Sequence, residues 1–376
     1  MSWLPFCPCQ LWKTILSLLS LQNLLFFGLF VLGVIVILII VSRLTSDRLP
    51  NIAIYKSERY YFDPQSGERH PLPQLGTTLL SKDTPTYADL APATLYLSVI
   101  IPAYNEETRL PVMLDEAFGY LESRKCRYEL IVVDDGSTDR TTEVALDYVQ
   151  KYGSEKIRVI TLEKNRGKGG AIRIGILAAR GEFCLFADAD GATKFGDVKK
   201  LEEFIFAKKQ AHSEKESTNE SSSWDPSEHS IAIGSRSHLA AESIARRSVF
   251  RTLLMHGFHL GVRLLTVRTV KDTQCGFKLM PRRIAHILFT HTHIERWAFD
   301  VEVLLLAERL KIPIGEIPVR WTEIDGSKLV PFFSWLQMGK DVFLIFWMYA
   351  TGAYQYPTPP FDGPIHSLSR STKKSR

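Results

Sequence analysis

Two aspartates that directly follow an apolar run are the residues best suited to chemistry in this sequence. Asp188 and Asp190 come after Phe183–Ala187, which predicts a buried strand, and Gly191 then allows a sharp exit. Side chains alternate along an extended chain, so both carboxylates point to the same side and can approach one divalent ion. Carboxylate oxygens suit Mg²⁺ or Mn²⁺. The alternative is an acidic turn that only ends a strand, and the residues upstream favour the metal.

Further apolar runs upstream of Asp188 predict the elements that would position these carboxylates. Strands are predicted at residues 97–101, 129–133 and 157–162, and a helical pattern covers residues 110–123. Strands that alternate with helices predict an α/β domain whose parallel sheet is covered on both faces. Ligands gather at the carboxyl ends of such strands, so the polar residues that follow each strand should lie together.

The loop Asn165–Gly170 (NRGKGG) is basic and rich in glycine, and it precedes a predicted helix that runs through Ala179. The dinucleotide pattern G-x-G-x-x-G fails at Ile172, and no Ser or Thr follows Lys168 to make a P-loop. Both of those site classes are therefore excluded. What remains is a basic loop that can meet phosphates, beside aspartates that can hold their metal.

Four ordered motifs, IPAYNEE, VVDDGSTD, NRGKGGA and ADADG, lie between about Ser98 and Gly191 and resemble those of the family-two glycosyltransferases. Further on, GSR, DTQCGFKLM and RWAFDVE resemble the branch that glycosylates polyprenyl phosphates, which extends the resemblance to about Trp321. The resemblance implies the Rossmann-like GT-A fold. It also implies inverting transfer from UDP-glucose to dolichyl phosphate, with UDP and dolichyl beta-glucosyl phosphate, a lipid-linked glucose donor for protein N-glycosylation, as products.

The resemblance assigns residues to the donor. Asp188 and Asp190 match the D-x-D motif that holds the metal on the diphosphate, and Asp135 is expected to face the uracil. The metal and Lys168 can stabilise the charge that develops on the leaving nucleotide. The full set expected around the nucleotide sugar is Pro102, Tyr104, Glu106, Asp134, Asp135, Lys168 and Asp188.

The acceptor side is expected to use basic residues and one or two carboxylates. Arg236, Arg247 and Lys278 are the candidate clamps for the lipid phosphate, with ordinary surface pairing as the alternative. Asp300, and second Asp272, are the candidates for a base or an electrostatic orienter, although Asp300 could simply complement a helix dipole. No covalent nucleophile is required, because a lipid phosphate is already anionic and needs positioning more than deprotonation.

Composition limits the class of partner. The chain has 376 residues, 45% of them hydrophobic and 23% charged, which is typical of globular proteins. Its net charge is +5, and no long block of Lys and Arg interleaves with aromatic residues, so nucleic acid is not an expected partner. The five cysteines are scattered, which favours a reducing compartment for the globular part.

An apolar segment near the start predicts a membrane anchor. Leu24–Val41 contains 18 residues without a charge, enough to span a bilayer. A signal peptide is the competing interpretation, but the run is too long and no cleavage site precedes Arg43. Only Lys13 lies upstream, whereas several basic residues follow, so the catalytic domain is expected in the cytosol. With the resemblance, this predicts a single-pass protein of the endoplasmic reticulum membrane.

The remaining segments complete a predicted domain organisation. We expect an anchor at residues 1–48, a membrane-proximal linker at 49–94, the GT-A domain at 95–325 and membrane-associated helices with a polar tail at 326–376. The Ser- and Glu-rich stretch 210–230 is predicted to be a disordered insertion. Leu329–Tyr349 carries Lys340 and Asp341, each costing roughly 2.5 to 3.5 kcal/mol to bury in a bilayer, so an interfacial helix is preferred over a spanning one. A core helix is the alternative there.

Other functions remain open from sequence alone. A dolichyl-phosphate mannosyltransferase that uses GDP-mannose would share the nucleotide and metal motifs, and DTQCGFKLM and RWAFDVE favour glucose only by resemblance. A processive synthase is disfavoured, because His293 stands where a Gln is expected before Arg296 and Trp297. A catalytically inactive, membrane-tethered binding protein is disfavoured by the intact Asp188 and Asp190. A homo-oligomer is possible in each case.

Overall fold

The computed structural model describes residues 21–47, 50, 52, 54–72, 90–216, 229–239, 257–258, 260–324 and 331–358. The chain divides into two compact units. The smaller unit comprises residues 1–48 and 347–355, and the larger comprises residues 49–346 and 356–376. Each unit is described separately below.

The smaller unit contains helix α1 (Leu21–Thr45). Its segment Leu25–Thr45 has a mean hydropathy of 3.2 and is not buried, and among the described residues it is the one helix long and apolar enough to cross a membrane. Residues after 346 pack on its C-terminal end. Trp347 Nε1 donates to Ser42 Oγ at 3.0 Å, and Arg43 Nε donates to the Thr351 carbonyl at 2.5 Å.

The larger unit begins with a hairpin of β1 (Tyr60–Asp63) and β2 (Glu68–Pro71). Although its sequence shows no strand periodicity, this segment packs on the domain that follows. Ser154 Oγ donates to Asp63 Oδ2 at 3.0 Å, and Arg166 pairs with Glu58 at 2.5 Å. The segment therefore contributes to the folded body.

A seven-stranded sheet forms the centre of the larger unit, in the order β5-β4-β3-β6-β8-β7-β9. Strand β4 is buried along its whole length, because helices cover both faces of the sheet, and its buried Glu129 pairs with Arg158. The strands are β3 (Leu95–Ala103), β4 (Tyr128–Asp134), β5 (Ile157–Thr161), β6 (Gly181–Ala187), β7 (Ile231–Ser235), β8 (Phe277–Pro281) and β9 (Ile314–Pro318).

From β3 to β7 the helices alternate with the strands, whereas two helices lie between β8 and β9 and the last helix follows β9. The helices are α2 (Leu110–Glu122), α3 (Thr141–Tyr152), α4 (Lys168–Leu177), α5 (Val198–Glu216), α6 (Arg282–His291), α7 (Phe299–Arg309) and α8 (Pro331–Ala350). In α8, Val342 and Ile345 are buried, whereas Leu336 is 65% and Phe343 54% exposed. The helix thus has one packed side and one exposed apolar side.

Three expectations from the sequence were wrong in detail. The sheet is mixed, because β8 runs antiparallel to both β6 and β7, and neither β8 nor β9 was predicted. Helix α4 begins at Lys168, so the glycines after it are helical. Helix α5 continues to Glu216, since Lys, Glu, Gln and Ala are good helix formers, so the predicted disordered insertion is helical over its first residues. Residues 217–228 of that insertion lie outside the described residues.

Candidate active site

Four strands end at the same edge of the sheet. Strands β4 and β6 pair in parallel with β3, and β5 pairs in parallel with β4, so the loops after all four meet there. Strand β8 begins at that edge because it runs the opposite way, and the amide of Asp188 donates to the Gly276 carbonyl at 3.1 Å. The segment before β8 therefore joins the predicted donor residues.

Asp188 and Asp190 lie in the turn after β6, next to Lys168. Lys168 Nζ is 2.5 Å from Asp188 Oδ1, and Asp190 Oδ1 accepts the Ala192 amide at 3.0 Å. Burial raises the pKa of Asp190, and the charge on Asp188 adds to this effect. Burial opposes a charge on Lys168, but the carboxylates of Asp188 and Asp300 outweigh it and hold the pKa of Lys168 above its usual value. The nearby carboxylates therefore favour the protonated form of this lysine.

Gly276 allows this close packing, and it was not among the site residues predicted from the sequence. A Cβ at Gly276 would lie 2.1 Å from Asp188 Oδ2, which no real contact permits. The glycine thus fixes how near the segment before β8 can approach the aspartate. A glycine immediately before a strand, next to a predicted ligand, was the available signal.

The two aspartates fit a divalent ion such as Mg²⁺ or Mn²⁺. Among the described residues, no group of three or more His, Cys, Asp or Glu side chains is placed to hold a metal. A site with two carboxylates suits an ion that keeps several waters and takes its other ligands from substrate phosphates. The two carboxylates are therefore suited to a metal ion that is also coordinated by the phosphates of a nucleotide diphosphate.

Asp135 organises the loop that follows β5. Its Oδ1 accepts the Arg166 amide at 2.7 Å, and its Oδ2 accepts the Gly167 amide at 2.8 Å. Burial raises the pKa of Asp135 to about 6, against the stabilising effect of these two amides. The Asp135 carboxylate therefore positions the basic loop, in addition to any contact with a base.

Asp134 is held in its own turn. Its Oδ1 accepts the Ser137 amide at 2.9 Å, and its Oδ2 accepts the Thr142 hydroxyl. The side chain is buried and joins the end of β4 to the start of α3. The sequence analysis predicted that Asp134 binds the nucleotide sugar, but here both of its carboxylate oxygens are used within the turn.

The loop after β3 is tied to the same turn. Asn105, with a positive φ of 54°, accepts the Thr138 amide on Oδ1 at 2.8 Å, and its own amide donates to Ser137 Oγ at 2.9 Å. Pro102 lies near the end of β3 and Tyr104 is exposed just beyond it. Glu106 accepts from Arg109 Nε at 2.6 Å, so an arginine missed from the sequence neutralises it.

The acceptor candidates occupy two different environments. Lys278 is fully buried and pairs with Asp300, and its Nζ also donates to the carbonyls of Thr273 at 3.0 Å and Cys275 at 2.7 Å. Burial raises the pKa of Asp300, with Lys278 and Lys168 opposing this. A lysine with these partners and no exposed surface does not suit a clamp for an incoming phosphate.

Arg236 and Asp272 form a second, more accessible pair. The guanidinium donates twice to the carboxylate, each time at 2.8 Å, and the Arg236 amide donates to Asp272 Oδ2 at 2.9 Å. Burial opposes ionisation of Asp272, but Arg236 holds its pKa below the usual value. Asp272 is therefore a poor base as arranged. Arg247 lies outside the described residues.

Comparisons with known proteins agree with this geometry. The model of the family described as glycosyl transferase family 2 matches residues 98–253. The dolichyl-phosphate beta-glucosyltransferase of Homo sapiens is 52% identical over 326 residues, covering 85% of this chain and 92% of that protein. Its namesake from Drosophila melanogaster is 53% identical over 311 residues, covering 81% and 87%. The chain belongs to the dolichyl-phosphate beta-glucosyltransferase family.

A solved structure is also similar to the chain. Glucosyl-3-phosphoglycerate synthase from Mycobacterium tuberculosis, in complex with Mn²⁺, UDP and glucosyl-3-phosphoglycerate, is 19% identical, with a TM-score of 0.40, over 70% of this chain and 82% of that one. The sequence relatives confirm the predicted α/β GT-A fold and the prediction that the protein is a glycosyltransferase. The similarity to the human enzyme covers 326 residues, so it extends well beyond Gly191, as the later motifs predicted.

Proposed function

We propose that this chain transfers glucose from UDP-glucose to dolichyl phosphate with inversion, producing dolichyl beta-D-glucosyl phosphate and UDP. The observation that carries the proposal is the accessible Asp188, Asp190 and Lys168 cluster at the strand edge, in a chain 52% identical to a dolichyl-phosphate beta-glucosyltransferase. One sugar bond breaks, the one between the anomeric carbon and the UDP oxygen. One new bond forms, between the anomeric carbon and an oxygen of the lipid phosphate.

Lys168 supports departure of the nucleotide. Because nearby carboxylates keep it protonated, its ammonium can donate to the phosphate oxygens on which charge accumulates as the bond breaks. Mg²⁺ or Mn²⁺ bound by Asp188 and Asp190 would neutralise further charge on the diphosphate. Pro102, Tyr104 and Glu106 are proposed to border the nucleoside, and Asp135 to hold the loop 165–167 against it.

The acceptor needs a binding site more than a base. Its phosphate is anionic at neutral pH, so correct placement near the anomeric carbon provides most of what the reaction requires. Arg236 is proposed as one contact, because its side chain is 31% exposed despite its pair with Asp272. Arg247 remains a second candidate from the sequence.

Lys278 and Asp300 are proposed to hold the site together from beneath. Lys278 fixes the carbonyls of Thr273 and Cys275, which keeps Gly276 beside Asp188. Asp300 then acts as the partner of Lys278 and as part of the field around Lys168. In this proposal Asp300 is an electrostatic orienter and not a base.

Membrane attachment would bring the two substrates together. We propose that α1 spans the endoplasmic reticulum membrane once and that the basic residues after it keep the catalytic unit in the cytosol, where UDP-glucose is supplied. The dolichyl chain would stay in the bilayer while its phosphate reaches the strand edge. The glucosylated lipid would then act as a glucose donor for N-glycosylation.

A labelled-donor assay tests the reaction directly. Membranes that contain the full chain would be given radiolabelled UDP-glucose or GDP-mannose with dolichyl phosphate, and the lipid extract would be counted. We expect label from UDP-glucose, requiring a divalent metal and lost when Asp188 is changed to Asn. Label from GDP-mannose alone would show that the sugar assignment is wrong.

A further inference from the structure

A cavity of about 550 Å³ borders the basic loop, outside the residues given roles above except for the loop itself. This volume lies within the range of roughly 300 to 1,000 Å³ that ligand sites occupy. It is partly open to solvent. The lining residues are Tyr55, Lys164, Asn165, Arg166, His293, Ile294, Glu295, Arg296, Gln337 and Asp341.

The charges in the lining favour an anion. Lys164, Arg166 and Arg296 face two carboxylates, and one of these, Glu295, is 2.7 Å from Arg173. The other, Asp341, lies in the field of Arg296 and Lys340. Across the described ranges, neither the Lys164 nor the Arg296 side chain has a hydrogen bond or an ion pair, and both residues are exposed. The Lys164 ammonium lies over the Tyr55 ring, 5.8 Å from its centroid. A lysine and an arginine without a fixed carboxylate partner suit a phosphate group.

The helix beside the cavity has an exposed apolar face. Gln337 and Asp341 are four residues apart in α8 and line the cavity on one side of the helix. Leu336 and Phe343 are seven residues apart, remain exposed and lie about 130° around the helix from Gln337 and Asp341. A ligand with a phosphate head and an apolar tail matches this combination of surfaces.

We propose that this cavity binds the phosphate headgroup of an anionic membrane phospholipid, with Lys164 and Arg296 contacting the phosphate and the acyl chains lying along Leu336 and Phe343. The site is separate from the acceptor site, which we place near Arg236. It goes beyond the proposed transferase reaction, because a phospholipid is neither its substrate nor its product.

The cavity wall shares its backbone with the donor loop. The Gly170 amide donates to the Glu295 carbonyl at 3.0 Å, and a Cβ on Gly167 would lie 3.0 Å from Arg296 Cα. Asp135 holds the other side of the same loop through Arg166 and Gly167. A lipid on Arg296 would therefore stabilise the loop in its donor-binding form, so phospholipid and UDP-glucose should bind with positive coupling.

Binding by the full chain in an uncharged detergent tests the proposal. The chain would be titrated with dioctanoyl phosphatidylglycerol, dioctanoyl phosphatidylcholine or inorganic phosphate, followed by calorimetry. The double variant Lys164→Gln with Arg296→Gln is compared with the control Arg140→Gln with Lys199→Gln, which removes the same charge from exposed positions. We expect the cavity variant to bind phosphatidylglycerol at least about tenfold more weakly than wild type. The control variant should bind it as tightly as wild type does.

Kinetics separate this site from the reaction itself. Phosphatidylglycerol should lower the KM for UDP-glucose in wild type and control but not in the cavity variant, with kcat unchanged. Equal lipid binding by all three proteins would overturn the proposal. So would inorganic phosphate binding as tightly as the lipid, or a cavity variant that loses affinity for dolichyl phosphate alone. Failure of the proposed function would instead appear as a wild-type chain that transfers no glucose.

Discussion

Two lysine–aspartate pairs lie at the same edge of the sheet and differ in what can reach them. In the pair of Lys168 and Asp188, the side chains are 16% and 34% exposed. In the pair of Lys278 and Asp300, they are 0% and 2% exposed. The residue types are the same and the pairs influence each other electrostatically, yet only the first can exchange its partner for a ligand.

The difference in exposure indicates that one pair can bind substrate and that the other can only stabilise the fold. An accessible pair gives up little when its lysine turns to a phosphate and its aspartate to a metal, because water and substrate replace the lost contact. A sealed pair cannot be opened in this way, since an unpaired charge would remain buried. We therefore propose that the Lys168 pair takes part in catalysis and that the Lys278 pair holds the geometry of the segment before β8.

The largest effect should follow from a change in the accessible pair. Asp188→Asn removes a proposed metal ligand at a partly exposed turn, so we expect glucose transfer to fall by about a thousandfold, or roughly 4 kcal/mol in the barrier. The free energy of unfolding of this variant should change little. Mn²⁺ binding, measured by electron paramagnetic resonance, should weaken in parallel. The control Asp147→Asn, on the exposed side of α3, should behave as wild type. Full metal binding by Asp188→Asn would remove this residue from the site.

The sealed pair should respond in the opposite way. Lys278→Met leaves Asp300 buried without its partner, and we expect a loss of about 3 to 5 kcal/mol in the free energy of unfolding. Adding Asp300→Leu should recover part of that loss, because no buried charge then remains. Denaturant unfolding of the three proteins measures both effects. A stable Lys278→Met protein that has lost only acceptor binding would restore Lys278 as a phosphate clamp.

The sequence predicted the accessible pair and its place, but not the sealed one. Apolar runs identified four strands, and the rule that ligands gather at strand ends placed Lys168 near Asp188 before any contact was known. Lys278 could not be placed, because β8 was unrecognised and its partner Asp300 is 22 residues away. The pair of Arg236 and Asp272 is separated by 36 residues. Pairing over such distances depends on tertiary structure and leaves no spacing to recognise.

Gly276 connects the two pairs and offers a smaller perturbation. Gly276→Ala places a Cβ 2.1 Å from Asp188 Oδ2, so the carboxylate must move while both lysines remain. We expect metal affinity and transfer to fall by about 10- to 100-fold, as when the support of a metal ligand is disturbed. Gly119→Ala, in α2 with no atom within 4 Å of the new Cβ, is the matched control. Equal activity of both variants would show that the close approach of Gly276 is unimportant.

Asp135 differs from both aspartates of these pairs, because backbone amides of the basic loop hold it and no lysine in the described part of the chain pairs with it. Its pKa is about 6 in the folded protein, above the usual value near 3.8, so the folded state binds this proton more tightly than the unfolded chain. The stability contributed by protonated Asp135 is present below about pH 4 and should be lost as pH rises through about 6, by about 2 to 3 kcal/mol. Asp135→Asn cannot titrate, so the difference in Tm between wild type and this variant should change across that window. Glu203→Gln, at an exposed position of α5, should follow wild type throughout. A Tm difference that stays constant from pH 4 to 6 would mean that the loop, and not burial, governs this carboxylate.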